Sequence, residues 1–332
     1  MSDWDFLWGL SGDDLDFAVM NGYTKEEAYL IDDFDDIDDN DTTLYNKEYL
    51  SEVRNKLSRI NASLSPRPKF RCYADFEFNC KEDGGDSDDS LEIISVGMVI
   101  CDKENNIVEE YKAFVKPTVS PKLSVKCRRL TQMFQSEIDT AKDLDVVCQK
   151  MLQIMKKYNV QRINVWGNHD KRVLRNDCGL HEAAGLPCES IRKVSRKIND
   201  FQYSFMKILD IRKSPSLENI AELLECDTYA LHDPLEDAVT LSEISEVVFN
   251  EDLTEYYDLV LFLAGEWRNN ELRRIKDCIG KENKKYAEII YDVLREGKNK
   301  QDVYVRICKG VRNPKKNSEL YKKITPLLKD KS

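Results

Sequence analysis

The sequence predicts an α/β domain, one mixed sheet covered by helices, and two observations predict it. First, KFRCYADFEF (69–78), EIISVGMVI (92–100) and VEEYKAFVKP (108–117) follow one another as β-branched and aromatic runs, the first two joined by the polar loop KEDGGDSDDS. Second, helical periodicity and short strand runs alternate beyond them as far as about residue 250. Neither G-x-G-x-x-G nor a Walker-type glycine loop occurs, so nucleotide binding of the Rossmann or Walker kind is unsupported.

After the three strands, a helix is expected from about Ile138 to Tyr158, with Val146, Met151, Leu152 and Met155 among its apolar positions. INVWGN (163–168) reads as the fourth strand and a helix starts near His169. KILDIR (207–212) reads as the fifth strand, LENIAELL as a short helix, and a last helix runs from about Pro234 to Val248. Two helix starts carry capping signals. Asn168 suits an N-cap, which puts Asp170 in the first turn. Asp233 suits another, with Pro234 at N1 and Glu236 completing a capping-box-like pattern, so that Asp237 falls in the first turn and His232 precedes the helix.

The flanks differ in charge. Residues 1–65 hold 16 Asp/Glu against 5 Lys/Arg, the whole of the formal net charge of −11, whereas residues 268–332 hold 19 Lys/Arg against 9 Asp/Glu. In the acidic flank TKEE (24–27) reads as a capping box, and Tyr49, Leu50, Val53, Leu57 and Ile60 give a helix over about 44–61 one apolar stripe. DDFDDIDDND (32–41) opens like a calcium loop, but Asp41 stands at the glycine position and Lys47 at the glutamate position, so a solvated spacer is expected. SLSPRP (63–68) marks a boundary, giving an acidic helical or partly disordered extension (1–65), a central domain (66–250) and a basic helical region (251–332). In the last, EYYDLVLFLAGEW, YAEIIYDVLREG and ELYKKITPLLKD read as helices, Tyr286, Ile289, Ile290 and Val293 form a stripe, and Lys298, Lys300, Arg306, Lys309, Arg312, Lys315 and Lys316 crowd the connections. That region reads either as a small module contacting nucleic acid or as a structural appendage with a solvated basic face.

Composition excludes several classes. With 332 residues, 41% of them hydrophobic, the chain can bury a substantial core and is not disordered throughout. Ten cysteines without a C-x-x-C pair point to reduced thiols in a cytosolic protein rather than a disulfide framework or zinc site. MSDWDFLWGL lacks a basic n-region, and no apolar run is long enough to cross a bilayer, so a cytoplasmic location and no membrane partner are expected.

The chemistry starts in YADFEFNC (73–80). Period-two alternation sends Asp75 and Glu77 to one face of a strand, where burying adjacent negative charges is costly unless a cation or water compensates. Taken singly, the other candidates have structural explanations: the helix dipole favours first-turn acids such as Asp170 and Asp237, and a lone histidine is usually packed or solvated.

Together, D-x-E on a first strand, an aspartate after W-G-N, and H-x-x-x-x-D opening a final helix resemble the three motifs of the DEDDh (DnaQ-like) 3′-to-5′ exonuclease superfamily. DFEFNC resembles the DFEATC of its Eri-type RNA exonucleases, and VWGNHDKRVL their W-G-x-x-D segment. IISVGMVI, FVKP, CRRLTQMFQSEIDTA and DIRKSPSLENIAELL fall in similar order and spacing, so the resemblance covers about residues 69–250. Asn79 stands where the Eri-type pattern has threonine, Phe78 replaces a small residue, and HDPLEDA differs from the more usual H-x-A-x-x-D-A.

The resemblance implies a ribonuclease H-like mixed five-stranded sheet and a metal-dependent exonuclease acting on single-stranded RNA or DNA 3′ ends, with nucleoside 5′-monophosphates as products. Two divalent cations, Mg2+ or Mn2+, would sit among Asp75, Glu77, Asp170 and Asp237, with Asp75 bridging them, and His232 would be the general base. Phe76, Phe78 and Asn79 would shape the pocket for the terminal nucleotide, and His169 would have no catalytic part. RNA is the favoured substrate. The alternatives are a DNA-directed or short-oligonucleotide exonuclease of the same fold, and a non-catalytic nucleic-acid or protein-binding module.

Overall fold

A computed structural model describes residues 45, 47–62, 64, 68–79, 91–227, 233–297 and 299–331. The capping box at 24–27, the acidic run at 32–41, Lys298 and His232 lie outside the described residues. The chain divides into two units at Leu50/Ser51. Of the first, Tyr45 and the opening turn of helix α1 (Lys47–Ala62) are described. Among the described residues no helix is long and apolar enough to cross a membrane.

The sheet runs β3-β2-β1-β4-β5. β1 (Arg71–Asn79), β2 (Glu92–Cys101) and β3 (Ile107–Phe114) form an antiparallel meander, and β4 (Ile163–Val165) and β5 (Ile198–Asp200) continue it parallel to β1. This is the mixed five-stranded sheet expected, with helices on both faces. β2 is buried at every position because helices cover both of its faces, which is why its sequence is almost continuously apolar.

On one face Cys72, Ala74 and Phe76 of β1 join the main core with α4 (Leu144–Lys157), α5 (His169–Ala183) and α6 (Glu189–Lys197). The alternate residues Tyr73, Asp75 and Glu77 point the other way, towards α9 (Pro234–Asn250). α9 is held over that face at its far end, where the Tyr73 hydroxyl donates to Ser245 Oγ at 2.8 Å and accepts from Arg71 Nε at 3.1 Å. Arg71 also meets Glu246 at 3.5 Å.

Several expected elements are corrected. The helix over 138–158 is two helices, α3 (Gln135–Asp139) and α4, with Asp143 as the second N-cap. Lys142 interrupts them because its backbone serves the sheet: it bridges Val115, and its carbonyl accepts from Lys116 N at 3.0 Å. KILDIR is not a strand. β5 lies upstream, and Lys207–Leu209 close helix α7 (Phe201–Leu209), which stops at Asp210 with φ +55°. A short apolar run fits either period, and tertiary contacts decide here. Leu209 O accepts from Trp267 Nε1 at 2.7 Å, Asp210 O from Asn270 Nδ2 at 2.8 Å, and Glu266 Oε2 from Arg212 N at 3.4 Å. Helices α2 (Val125–Thr131, capped by Ser124) and α6 were not anticipated, while LENIAELL forms α8 (Leu217–Leu223).

Trp267, Asn270 and Glu266 belong to α10 (Tyr257–Ile279), whose later residues Leu272, Ile275 and Ile279 enter a second core. That core is completed by α11 (Ala287–Glu296), α12 (Lys300–Gly310), α13 (Pro314–Ile324) and the final 3₁₀ turn (Thr325–Lys331). From Ser51 onward α1 belongs to the same body: Val53 and Leu57 are buried, the Lys56 ammonium lies 3.6 Å over the Trp267 ring, and Glu52 meets Arg295 at 3.0 Å.

Candidate active site

Carboxylate oxygens of Asp75, Glu77 and Asp237 all lie within 4.8 Å of one another. The strand places the first two on one face, as period two requires, and the first turn of α9 brings the third. What lets the helix approach is Gly97, which pairs with Asp75 across β1 and β2. A Cβ at Gly97 would fall 2.1 Å from the Pro234 carbonyl carbon and 2.2 Å from Leu235 N, so the glycine is the seat of the helix start. Lys112 continues the same row on β3, opposite Gly97, and its Nζ meets Asp233 Oδ2 at 2.5 Å. Asp233 Oδ1 accepts from Leu235 N at 3.0 Å, so one side chain both caps α9 and ties it to the sheet.

Asp170 is the fourth acid, in the first turn of α5 behind Asn168 and Gly167, whose φ of +97° turns the chain from β4 into the helix. It is 5% exposed, and its Oδ2 is buried without a hydrogen-bond donor. Burial pushes its carboxyl up to about 8, with Asp200 adding to the shift. Burial also holds Asp75 well above the ordinary carboxylate range, and Asp170, Asp237 and Glu77 add to it in that order. Asp237 is pushed up to about 7 by burial, then by Asp233, Glu218 and Glu236. Asp75, Glu77 and Asp237 are half-buried and Asp170 is buried, so the carboxylates repel one another where little water screens them. An all-oxygen donor set of this kind fits a hard divalent cation.

The remaining sequence candidates divide. His232 lies outside the described residues. The His169 ring packs against Phe78, with centroids 4.9 Å apart. Phe76, expected at the terminal nucleotide, faces the opposite side of β1 from Asp75 and is 2% exposed in the core. Asn79, expected beside it, turns its amide to Ser120 O at 2.8 Å and Lys122 O at 3.2 Å. Its cross-strand partner Glu92 accepts from Thr118, Val119 and Ser120 N, so the pair braces the 118–122 segment.

Gly97 and Lys112 were missed, although a glycine inside the run IISVGMVI signals a close backbone approach. Asp177 was missed too. It lies two turns after Asp170 on α5 and accepts from Ile93 N at 2.9 Å, beside the register shift that skips Ile94. Burial pushes the Asp177 carboxyl up to about 8. A folded-state value raised above the unfolded one means that its contribution to stability is full below about pH 4 and is lost as pH rises to about 8. Asp177→Asn keeps an acceptor for Ile93 N and removes the titration. The expected result is a gain of about 1–3 kcal/mol over the parent at pH 8.5, shrinking at acid pH. Urea melts of both chains at the two pH values check it.

The RNase_T family model, described as an exonuclease, matches residues 73–244. A probable 3′-5′ exonuclease, KapD of Bacillus subtilis (strain 168), is 25% identical over 177 residues, covering 52% of this chain and 82% of its own. The 3′-5′ exonuclease eri1 of Schizosaccharomyces pombe is 28% identical over 92 residues, covering 27% of this chain and 31% of its own. Among solved structures, the nuclease domain of 3′hExo, a DEDDh family member bound to rAMP, is similar, with TM-score 0.48, 22% identity, 55% of this chain and 92% of that one covered. With more than half of its length matched by the family model, the chain belongs to the RNase_T exonuclease family.

Proposed function

We propose that this enzyme removes nucleotides from the 3′ end of single-stranded nucleic acid, RNA in preference to DNA, releasing nucleoside 5′-monophosphates with two bound cations, Mg2+ or Mn2+. The observation that carries the reading is the meeting of Asp75, Glu77 and Asp237 within 4.8 Å, with the buried Asp170 near enough for its charge to raise Asp75. The preference for RNA rests on the likeness of DFEFNC to the Eri-type motif.

Asp75, Glu77 and Asp237 would hold one cation and Asp75 with Asp170 the second. Divalent cations at such a cluster polarise phosphate oxygens and neutralise charge on the attacking and leaving oxygens. The carboxylates keep their oxygens converged because strand, helix cap and glycine seat fix them before substrate arrives. His232, immediately before the N-cap Asp233, would take the proton of the attacking water on an imidazole nitrogen. End-labelled single-stranded RNA and DNA, digested side by side with Mg2+, Mn2+ or chelator, test the proposal. Cleavage that persists in chelator, or that starts from the 5′ end, contradicts it.

The two histidines give a separate expected result. His232→Ala should lower turnover by roughly 10²- to 10⁴-fold with metal affinity little changed, the usual scale for loss of a general base. His169→Ala should change turnover far less, since its ring packs on Phe78 beside the acids. Equal losses in single-turnover assays would reverse the assignment.

The basic C-terminal helices would hold the nucleic-acid backbone. Among the described residues Arg268, Arg295, Arg306, Lys316 and Lys323 are paired with acids, whereas Lys315 and Lys322 on α13 are exposed and share the side of the helix opposite Leu320 and Ile324. Lys315→Glu with Lys322→Glu should weaken RNA binding and flatten the plot of log affinity against log salt, because each lost phosphate contact removes about one counterion release. An unchanged salt slope would leave α13 as a solvated structural face.

A further inference from the structure

We propose that Cys188 and Cys178, at the turn joining α5 to α6, are an oxidisable thiol pair that a hydroperoxide closes to a disulfide, with Cys188 as the attacking sulfur. The two sulfurs and a Glu182 carboxylate oxygen lie within 4.8 Å of one another, away from the acids of the nuclease site. Cys188 is the N-cap residue of α6, a helix of 9 residues whose N-terminal dipole favours an anion. One turn on, Arg192 brings Nη2 to 3.5 Å from Cys188 Sγ and pairs with Glu182. The Cys188 thiol points at Glu182 Oε1 across 3.6 Å, so the carboxylate can take its proton while the guanidinium steadies the thiolate.

The second thiol is placed to resolve the first. Cys178 is 7% exposed and directs its Sγ at the Cys188 carbonyl, 3.7 Å away, whereas Cys188 is partly exposed, so an oxidant meets Cys188 first. Burial, then the contact with Cys188, pushes the Cys178 thiol up to about 11, so it stays protonated until it condenses. The turn between them is already closed: Leu186 N donates to His181 O at 2.8 Å, and Nδ1 of the buried His181 lies 2.8 Å from Pro187 O. A cross-link therefore ties segments that are already held together. The same donors would suit a thiophilic cation less well, because Arg192 already neutralises Glu182 and would repel it.

The chemistry balances. The Cys188 thiolate attacks one peroxide oxygen, the O–O bond breaks, and the alkoxide leaves as alcohol with the proton that Glu182 received. The sulfur, oxidised by two electrons, becomes a sulfenic acid. The Cys178 sulfur then attacks it, the S–O bond breaks, and water leaves with the Cys178 proton as the S–S bond forms. Two thiols and one hydroperoxide give one disulfide, one alcohol and one water.

Both cysteines fall on one tryptic peptide, residues 176–192. The full chain, treated with stoichiometric hydrogen peroxide, alkylated and digested, should yield that peptide unalkylated and lighter by two hydrogens, with both changes reversed by dithiothreitol. Cys178→Ser should instead leave a sulfenic acid on Cys188 that dimedone captures. Arg192→Gln should slow oxidation by about tenfold, because it removes the guanidinium that lies 3.5 Å from the attacking sulfur. The proposal is overturned if the peptide stays doubly alkylated while the exposed Cys308 is oxidised, or if Arg192→Gln reacts as fast as the parent.

Discussion

Asp75→Asn and Asp237→Asn are each expected to abolish nuclease activity, by about 10³-fold or more, while raising the melting temperature of the metal-free protein. The two effects share a cause. In the folded chain Asp75 and Asp237 are held above the ordinary carboxylate range, first by burial and then by the neighbouring acids. Neutralising one member removes a repulsion that folding must otherwise overcome, so stability without metal should rise. The same repulsion makes the cluster a cation site. Removing a ligand forfeits several kcal/mol of charge stabilisation in the transition state, which is the rate factor above. Thermal melts in chelator and in Mn2+ separate the contributions: the parent should gain far more from Mn2+ than either variant. A variant that keeps its activity, or melts lower than the parent in chelator, would show that these carboxylates are structural and not the metal site.

How much of this was legible in the sequence depends on how local the determinant is. Strand alternation placed Asp75 and Glu77 on one face, and the Asp233-Pro234 start placed Asp237 one turn into a helix, because both patterns are written within a few residues. That these two elements meet is a non-local fact, and the family resemblance supplied it. Residues 207–212 were misread because Leu, Asp and Ile fit a strand as well as a helix end, and Trp267 and Asn270, far along the chain, settle the matter. Phe76 and Asn79 were assigned to substrate by their nearness in sequence to Asp75 and Glu77. The strand sends Phe76 into the core, and Asn79 is committed to the 118–122 segment. Lys112 showed no local signal at all: it is one of many lysines until the register sets it beside Gly97, under Asp233.

Gly97→Ala should be the most damaging glycine-to-alanine change among the described residues, although Gly97 carries no side chain that could act in the chemistry. Its Cβ would fall 2.1 Å from the backbone of Pro234, a distance that no rotamer change relieves because the obstacle is main chain. Either β2 or the start of α9 has to move by more than an ångström. The far end of α9 is pinned through Tyr73 and Ser245, so its N-terminal turn, which carries Asp237 and is tied to the sheet through the exposed Lys112–Asp233 pair, is the part that yields. Overpacking of this kind costs about 1–3 kcal/mol. Displacing a ligand by about 1 Å costs about 10²-fold in rate. The expected result is a folded protein with a lower melting temperature, a loss of activity of about 10²-fold or more, and a raised metal concentration for half-maximal rate. Gly179→Ala provides the control. That glycine lies on the exposed side of α5 with nothing within 4 Å of the new Cβ, so alanine there should stabilise by about 0.5–1 kcal/mol and leave catalysis unchanged. If Gly97→Ala behaves like Gly179→Ala, α9 does not depend on the glycine seat, and the alignment of Asp237 with Asp75 has to be set elsewhere.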